Sequence, residues 1–249
     1  MVLTMTHIFE ASNVHCSIIV DGERRTIFSG LSFVIDAGEI VDLTGPSGVG
    51  KSSLLTAFAR LNPRADGKYR LLGRSADDFT PQQWRAQVAY LPQKPVLLGE
   101  TVAQAMRLPF TLAVRQSSKT GPRRTSPTDI PPDAEIRKTL DDMGCGDIDL
   151  NRPPHDLSGG QAARVSLART LLTNPKVLLA DEVDAGLDDE NAEKVASVLT
   201  GAAADGMAIV RIRHRRPDGR ASRIMHLSDG TLTQIRANAG DDDPEGTVA

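Results

Sequence analysis

Cysteine is scarce: the chain of 249 residues holds two, Cys16 and Cys145. Two thiols so far apart build neither a disulfide framework nor a structural zinc site. They are expected as reduced, partly buried thiols of a cytosolic protein. Long apolar runs are missing too. No stretch reaches the roughly eighteen residues that a membrane-spanning helix needs, so no span is expected. The opening stretch Met1–His7 lacks the charged start and apolar core of a secretion signal. Neither sign of charge dominates. Lys and Arg number 29 against 32 Asp and Glu, giving a net charge of −3 and a pI near 6.0. That balance makes no general case for a nucleic-acid or anionic-membrane partner. No internal repeat is found. What remains is a globular composition, 40% hydrophobic and 24% charged. The length suits one large domain, or a domain with a lobe.

One stretch organises the rest. Gly45-Pro46-Ser47-Gly48-Val49-Gly50-Lys51-Ser52 fits the phosphate-loop pattern G-x-x-x-x-G-K-[ST] at every fixed position. Ile40–Leu43 reads as a buried strand leading in, and Ser53–Ala59 as a helix leading out. Glycines let successive backbone N–H groups point inward, and the helix start adds partial positive charge. Lys51 is placed to bridge the outer phosphates of a nucleotide and the Ser52 hydroxyl to ligate Mg²⁺. The competing reading is a chance glycine turn before a helix.

Around this loop the chain alternates. Residues 8–20 read as one or two strands, turned by Asp21-Gly22 into strands at 26–28 and 31–35. After Asn62-Pro63 come a short strand at 69–72, a helix at 81–87 and a buried strand at 88–91 that ends at Pro92-Gln93. A helix is expected at about 101–108. Residues 113–132, poor in hydrophobic side chains and carrying Arg115, Lys119, Arg123 and Arg124, read as a mobile loop or a basic partner-binding arm. Ile136, Leu140 and Met143 mark a helix over 133–143. Ser158 is an N-cap for a helix bearing Val165, Ala168, Leu171 and Leu172 on one face. Val177–Glu182 is an apolar strand ending in two carboxylates, followed by a helix at about 188–200 and a strand at 208–212 that runs to Arg213-His214. Two short strands flank Asp229-Gly230, and the polar, acidic residues 237–249 are expected to be disordered. The pattern predicts an α/β fold with a mainly parallel sheet and helices on both faces. Lys51, Gln93, Asp181, Glu182 and His214 then all follow strands and gather at one sheet edge.

Adjacent carboxylates after a strand are often a solvated or helix-capping pair. Behind a phosphate loop, Asp181 reads instead as the outer-sphere holder of Mg²⁺, and Glu182 as the group that polarises a water for in-line attack on the γ-phosphate. Gln93 alone is a surface glutamine, and His214 alone a structural histidine. Their order along the chain gives them value. His214 is placed to hydrogen-bond the γ-phosphate.

Together these residues resemble the nucleotide-binding subunit of ATP-binding cassette (ABC) transporters. Gly45–Ser52 resembles the Walker A loop and Val177–Glu182 the Walker B strand with its catalytic glutamate. Leu157-Ser158-Gly159-Gly160-Gln161 matches the family signature, Gln93 the Q-loop, Ala185-Gly186-Leu187-Asp188 the D-loop and His214 the switch histidine. The resemblance covers about residues 8–236. It implies a P-loop NTPase core with an N-terminal antiparallel β-subdomain at 8–93 and 162–236, and an inserted helical subdomain at 94–161. It implies ATP and Mg²⁺ as ligands. Gly45 through Ser53 would hold the phosphates, with Ser52, Gln93 and Asp181 at the metal. Glu182, Gln93 and His214 would be catalytic. It also implies a head-to-tail homodimer in which Ser158, Gly159, Gly160 and Gln161 complete the partner's site in trans. The transport pathway would lie on a separate membrane permease, holding this chain at the cytoplasmic face. Gln93–Val102 with Leu108-Pro109-Phe110 resembles a small bacterial group of stand-alone subunits associated with metal or iron export.

Three departures accompany the resemblance. The usual adenine-stacking aromatic has no counterpart around His15-Cys16-Ser17-Ile18, leaving Ile18 or His15 in its place. Val183-Asp184 stands where the family commonly has Pro-Thr. Arg211, Arg213, Arg215 and Arg216 crowd His214, either depressing its pKa or forming a solvated rim. The insertion at 113–132 is not part of the export group's pattern. The alternatives are an ABC-type ATPase acting on nucleic acid or the translation machinery, and a regulatory module that holds nucleotide without turnover.

Overall fold

A computed structural model describes residues 7–116, 130–213 and 215–235. The expectations for His214, for most of the 113–132 insertion and for the tail at 237–249 lie outside the described residues.

The chain opens with a long hairpin. Strand β1 (Phe9–Val20) pairs antiparallel with β2 (Glu23–Ile35) across Asp21-Gly22. Both turn residues have positive φ, 52° and 83°, the geometry that matches strand twist in a tight hairpin. The two strands expected within 23–35 are one, because register shifts near Asn13 and His15 absorb the irregularity in β1. On its other side β1 pairs with β4 (Ala65–Leu71), which carries the short β5 (Arg74–Ser75). The resulting sheet has the order β2-β1-β4-β5.

The second sheet has six strands, ordered β10-β9-β3-β8-β7-β6. Its parallel part is β6 (Val88–Leu91), β7 (Val177–Asp181), β8 (Ala208–Ile212), β3 (Ile40–Thr44) and β9 (Arg223–Ser228). β10 (Thr231–Ile235) closes one edge antiparallel. β7 and β8 are buried throughout and accordingly read as apolar runs, interrupted by Asp181 and Arg211.

Two hydrophobic clusters cover the faces of this sheet. One joins it to the antiparallel sheet, to α1 (Lys51–Phe58) and to α2 (Pro81–Gln87). Phe9, Phe33, Phe58, Tyr69, Phe79 and Trp84 form its aromatic centre, with ring centroids 5.2–6.5 Å apart. Trp84 is fully buried, and its indole N–H is satisfied by the Phe58 carbonyl at 2.9 Å. Burial pushes the Tyr69 hydroxyl up to about 12. The other cluster packs α3 (Val102–Arg107), α5 (Asp133–Asp142), α6 (Gly159–Leu172) and α7 (Asp189–Ala204). Within the stretch expected as a loop, Ala113–Gln116 forms a single helical turn, α4. Both cysteines are free and fully buried, rather than partly, and burial raises their pKa. Among the described residues no helix is long and apolar enough to cross a membrane.

Candidate functional site

The glycine-rich stretch joins β3 to α1, as its pattern requires. Gly45, Gly48 and Gly50 have φ of 142°, 78° and 107°. A Cβ at Gly45 would stand 2.2 Å from the Leu227 carbonyl oxygen, and one at Gly50 2.4 Å from Ile27 Cγ2. Backbone packs against backbone at Gly45, so no larger residue fits. Gly48 faces open space, as do the exposed Pro46 and Ser47. Val49 N–H turns back to the Pro46 carbonyl at 3.4 Å, and α1 starts without a side-chain cap and without an acidic residue in its first turn. Such a start leaves the helix positive end to an anion. Lys51 is buried, and its Nζ donates to the carbonyls of Gly45 and Pro46 at 2.8 and 2.9 Å. Ser52 is exposed on the first turn, and Ser53 half-buried beside it. A cleft of about 510 Å³ adjoins Gly48 and Val49 and is lined by Arg25, Ile27, Asp229 and Gly230.

Asp181 ends β7, two strands from β3 with β8 between, so the two carboxyl ends lie about 10 Å apart. Its side chain is buried. Oδ2 accepts from the Tyr90 hydroxyl at 2.9 Å, while Oδ1 is buried with no hydrogen-bond partner. Burial, and then the neighbouring Asp181, raise the Tyr90 pKa, so it stays a donor. A buried carboxylate oxygen without a donor costs free energy, and a cation or its bound water would satisfy it. The donor set therefore fits Mg²⁺.

Glu182 was expected within the strand, but β7 stops one residue earlier and Glu182 takes a left-handed φ of 52°. For a non-glycine residue this costs about 1–2 kcal/mol. Its Oε2 accepts from Gln93 Nε2 at 2.6 Å, so the structure brings together two residues 89 positions apart.

Ser158 caps α6 in a reciprocal box. Its hydroxyl accepts from Gln161 N–H at 3.2 Å, and Gln161 Oε1 accepts from Ser158 N–H at 3.1 Å. Ser158 and Gly159 are exposed, and a Cβ at Gly159 would meet nothing within 4 Å. Among the described residues no hydrogen bond joins 158–161 to the phosphate loop. The chain does not bring its own signature to its own phosphate loop by any such contact.

Sequence reading missed several partners. Arg164 anchors the signature helix, with Nη1 donating to the Met143 and Gly144 carbonyls at 3.1 and 2.8 Å and to Asn191 Oδ1. Asn191 in turn donates to Asp188, holding that carboxyl below its ordinary range. Of the four arginines near residue 214, Arg211, Arg213 and Arg215 are not a solvated rim, while Arg216 is exposed. Arg211 is buried and donates to Asp42 at 2.5 Å and to Asp218 at 2.7 and 3.0 Å. Arg213 Nε donates to Asp184 at 2.8 Å. Its buried Nη1 lies 2.8 Å from Asp218 Oδ2, close enough for an ion pair but not aligned as a hydrogen bond. Arg215 pairs with Asp189 at 2.7 Å and with the Leu187 carbonyl. Asp184, where the family commonly has threonine, is thus a buried acid matched to a buried base. The arginine excess after β8 was the available signal, but acids at 42 and 218 could not be assigned to it from spacing.

Among the residues suggested for the base, His15 is engaged. Its Nδ1 accepts from Gly30 N–H at 3.3 Å and lies 2.8 Å from Ser29 Oγ, and Nε2 lies 2.9 Å from Asn13 Oδ1. Ile18 is half-buried. Phe28, the aromatic residue of the cleft beside the loop, is only 1% exposed.

The family model for the ABC transporter matches residues 28–185. An ABC transporter ATP-binding protein of Methanocaldococcus jannaschii is 33% identical over 91% of this chain and 98% of its own length. The probable iron export ATP-binding protein FetA of Escherichia coli is 34% identical over 70% of this chain and 71% of its own. The macrolide export ATP-binding/permease protein MacB of Salmonella typhimurium is 31% identical over 92% of this chain, which spans only 34% of that relative. A bacterial Atm1-family ABC exporter with ATP bound superposes with a TM-score of 0.73 at 25% identity, covering 93% of this chain and 39% of the exporter. A dimeric ABC transporter cassette shares the fold at a TM-score of 0.74 and 24% identity, over 92% of this chain and all of the cassette. With its sequence and its fold in agreement, the chain is a member of the ABC transporter ATP-binding family, built on a P-loop NTPase core.

Proposed function

We propose that this chain binds Mg·ATP at Gly45–Ser53, closes on a second copy and hydrolyses the nucleotide to drive a separate membrane permease. The single observation that carries the reading is the buried Asp181 with an unpartnered Oδ1, next to a Glu182 held by Gln93, at the sheet edge where the phosphate loop opens. Ser52, Gln93 and Asp181 would hold Mg²⁺, which would neutralise charge on the β- and γ-phosphates. Lys51 exchanges its two backbone carbonyls for phosphate oxygens, trading neutral acceptors for charged ones. Glu182 accepts a hydrogen bond from water in line with the γ-phosphorus. A new O–P bond forms, the bond to the β–γ bridging oxygen breaks, the water's proton passes by way of Glu182 to the released phosphate, and ADP and inorganic phosphate leave. His214, which matches the family's switch histidine in sequence, would contact the γ-phosphate. The N-terminus of α6, Ser158–Gln161, exposed at Ser158 and Gly159, serves the partner copy's nucleotide.

Two lines support transport. The ATP-binding relatives include export subunits, some fused to a permease. Val96 and Leu98, just after Gln93, are 62% and 60% exposed, an apolar edge suited to a membrane partner. That partner would hold the chain at the cytoplasmic face. The FetA likeness favours metal, including iron, as cargo.

Glu182→Gln tests the reading. It is expected to lower kcat by about 10²-fold or more, while ATP binding persists and the ATP-bound dimer accumulates in sedimentation. Full steady-state hydrolysis by this variant would sink the role of Glu182.

A further inference from the structure

Glu182 sits in a backbone conformation that L-residues avoid, with φ at 52°. Such a residue persists only where its surroundings over-determine it. Two ties fasten this turn to the end of β8. The Glu182 N–H donates to the Ile212 carbonyl at 3.1 Å. Two residues on, Asp184 Oδ2 accepts from Arg213 Nε at 2.8 Å, and both side chains are 9% exposed. Ala185 N–H closes the turn on the Glu182 carbonyl at 3.0 Å. Ile212 and Arg213 are consecutive, so the two ties form a two-point clamp across one short turn.

Arg213 is itself braced. Its Nη1 lies 2.8 Å from Asp218, which Arg211 grips with two hydrogen bonds. Arg211 also donates to Asp42, its direct cross-strand neighbour on β3. A continuous run of buried charge therefore links the strand that feeds the phosphate loop to the turn that presents Glu182. Bridging the two strands takes five charged side chains, and the hydrolytic reading uses none of them.

We propose that the Asp184–Arg213 ion pair is a positioning device for hydrolysis, holding the Glu182–Ala185 turn so that Glu182 stays directed at Gln93 and the attacking water. The proposal rests on the reading of Glu182 as the water-polarising carboxylate. Asp184 and Arg213 act through Glu182 rather than on the substrate. Their loss therefore changes the chemical step and leaves the contacts of Lys51 and Ser52 with nucleotide in place.

The full chain carrying Asp184→Asn together with Arg213→Gln removes both charges of the pair and leaves Asp218 with Arg211 as its counter-charge. Turnover is expected to fall by at least about tenfold, since small misplacements of a reacting group are costly. KM and ATP affinity are expected to stay within about twofold. In the nucleotide-free protein, amide exchange at residues 182–185 is expected to speed up by about tenfold while β7 and β8 stay protected. Arg213→Lys retains the charge but loses the planar donor. It is expected to show a smaller kcat loss with the same unchanged KM, and it carries the test if the neutral pair does not fold. Wild-type kcat in either folded variant, or exchange that rises equally across the whole chain, overturns the proposal. If Glu182→Gln retains full hydrolysis while the local exchange change still occurs, the reading of Glu182 fails but the clamp stands.

Discussion

Tyr90 and Asp181 show how a buried carboxylate comes to have one oxygen satisfied and the other not. Tyr90 satisfies Oδ2, and Oδ1 is left without a donor. The contact spans 91 residues and follows from the parallel register of β6 with β7, in which Tyr90 lies opposite Leu179. Leu179 and Asp181 share a face of the sheet, so the hydroxyl reaches the acid one step beyond its own partner. Tyr90→Phe removes a hydrogen bond to a charged acceptor, so we expect a loss of about 1.5–3 kcal/mol. A lower urea midpoint at unchanged slope would show it. An unchanged midpoint would mean that Asp181 is satisfied in another way. Asp181 was legible in the sequence as a carboxylate after an apolar strand. Tyr90 was not, because nothing local connects it to position 181.

Among the elements, α6 is the most fully encoded in its own residues. Ser158 and Gln161 stand three apart, and both halves of the capping box form. Ser158→Ala is expected to cost about 1 kcal/mol of stability, read as a fall in the midpoint of denaturant unfolding. A loss of ATP-driven dimerisation far beyond that cost would show that Ser158 also serves the partner's nucleotide. What points α6 is less local. Arg164 ties it to the end of α5 and to Asn191 on α7, across 20 to 27 residues. The β1–β2 hairpin divides in the same way. Its Asp21-Gly22 turn was readable, whereas the bulges that merge 26–28 and 31–35 into one strand depend on pairing with β1.

At the scale of the molecule, buried charge links segments that the chain holds far apart. Asp42 and Arg211 are 169 residues apart, yet they face each other across β3 and β8. Burial alone would raise the pKa of Asp218, but hydrogen bonds from Arg211 and the Arg220 amide outweigh it and hold the value below 3.8. Its folded value lies under the unfolded one. Its contribution to stability is therefore complete above about pH 4 and is lost as pH falls through the folded value. Asp42 runs the other way, because burial outweighs Arg211 and raises its value. Protonating Asp42 offsets part of the acid loss. Asp218→Asn takes away the carboxylate that Arg211 and Arg213 share, leaving Asp42 to the one and Asp184 to the other, and is expected to cost about 1.5–3 kcal/mol at neutral pH. The cost should shrink as pH falls below about 4. Urea midpoints measured along a pH series would check both, and a pH-independent difference would remove Asp218 from the network.

The sequence by itself determined the phosphate loop, the signature with its cap, the order of the motifs and hence the family. Each depends on residues within a few positions of one another, where backbone geometry and hydrogen bonding follow from residue type. Only the tertiary structure decided which arginine meets which acid, that Asp42 and Asp184 are buried, that Glu182 turns left-handed and that Gln93 reaches it. These outcomes follow from strand order and register. β8 lies between β3 and β7, and this places Arg211 and Arg213 between the strand that leads into the phosphate loop and the strand that ends at Asp181.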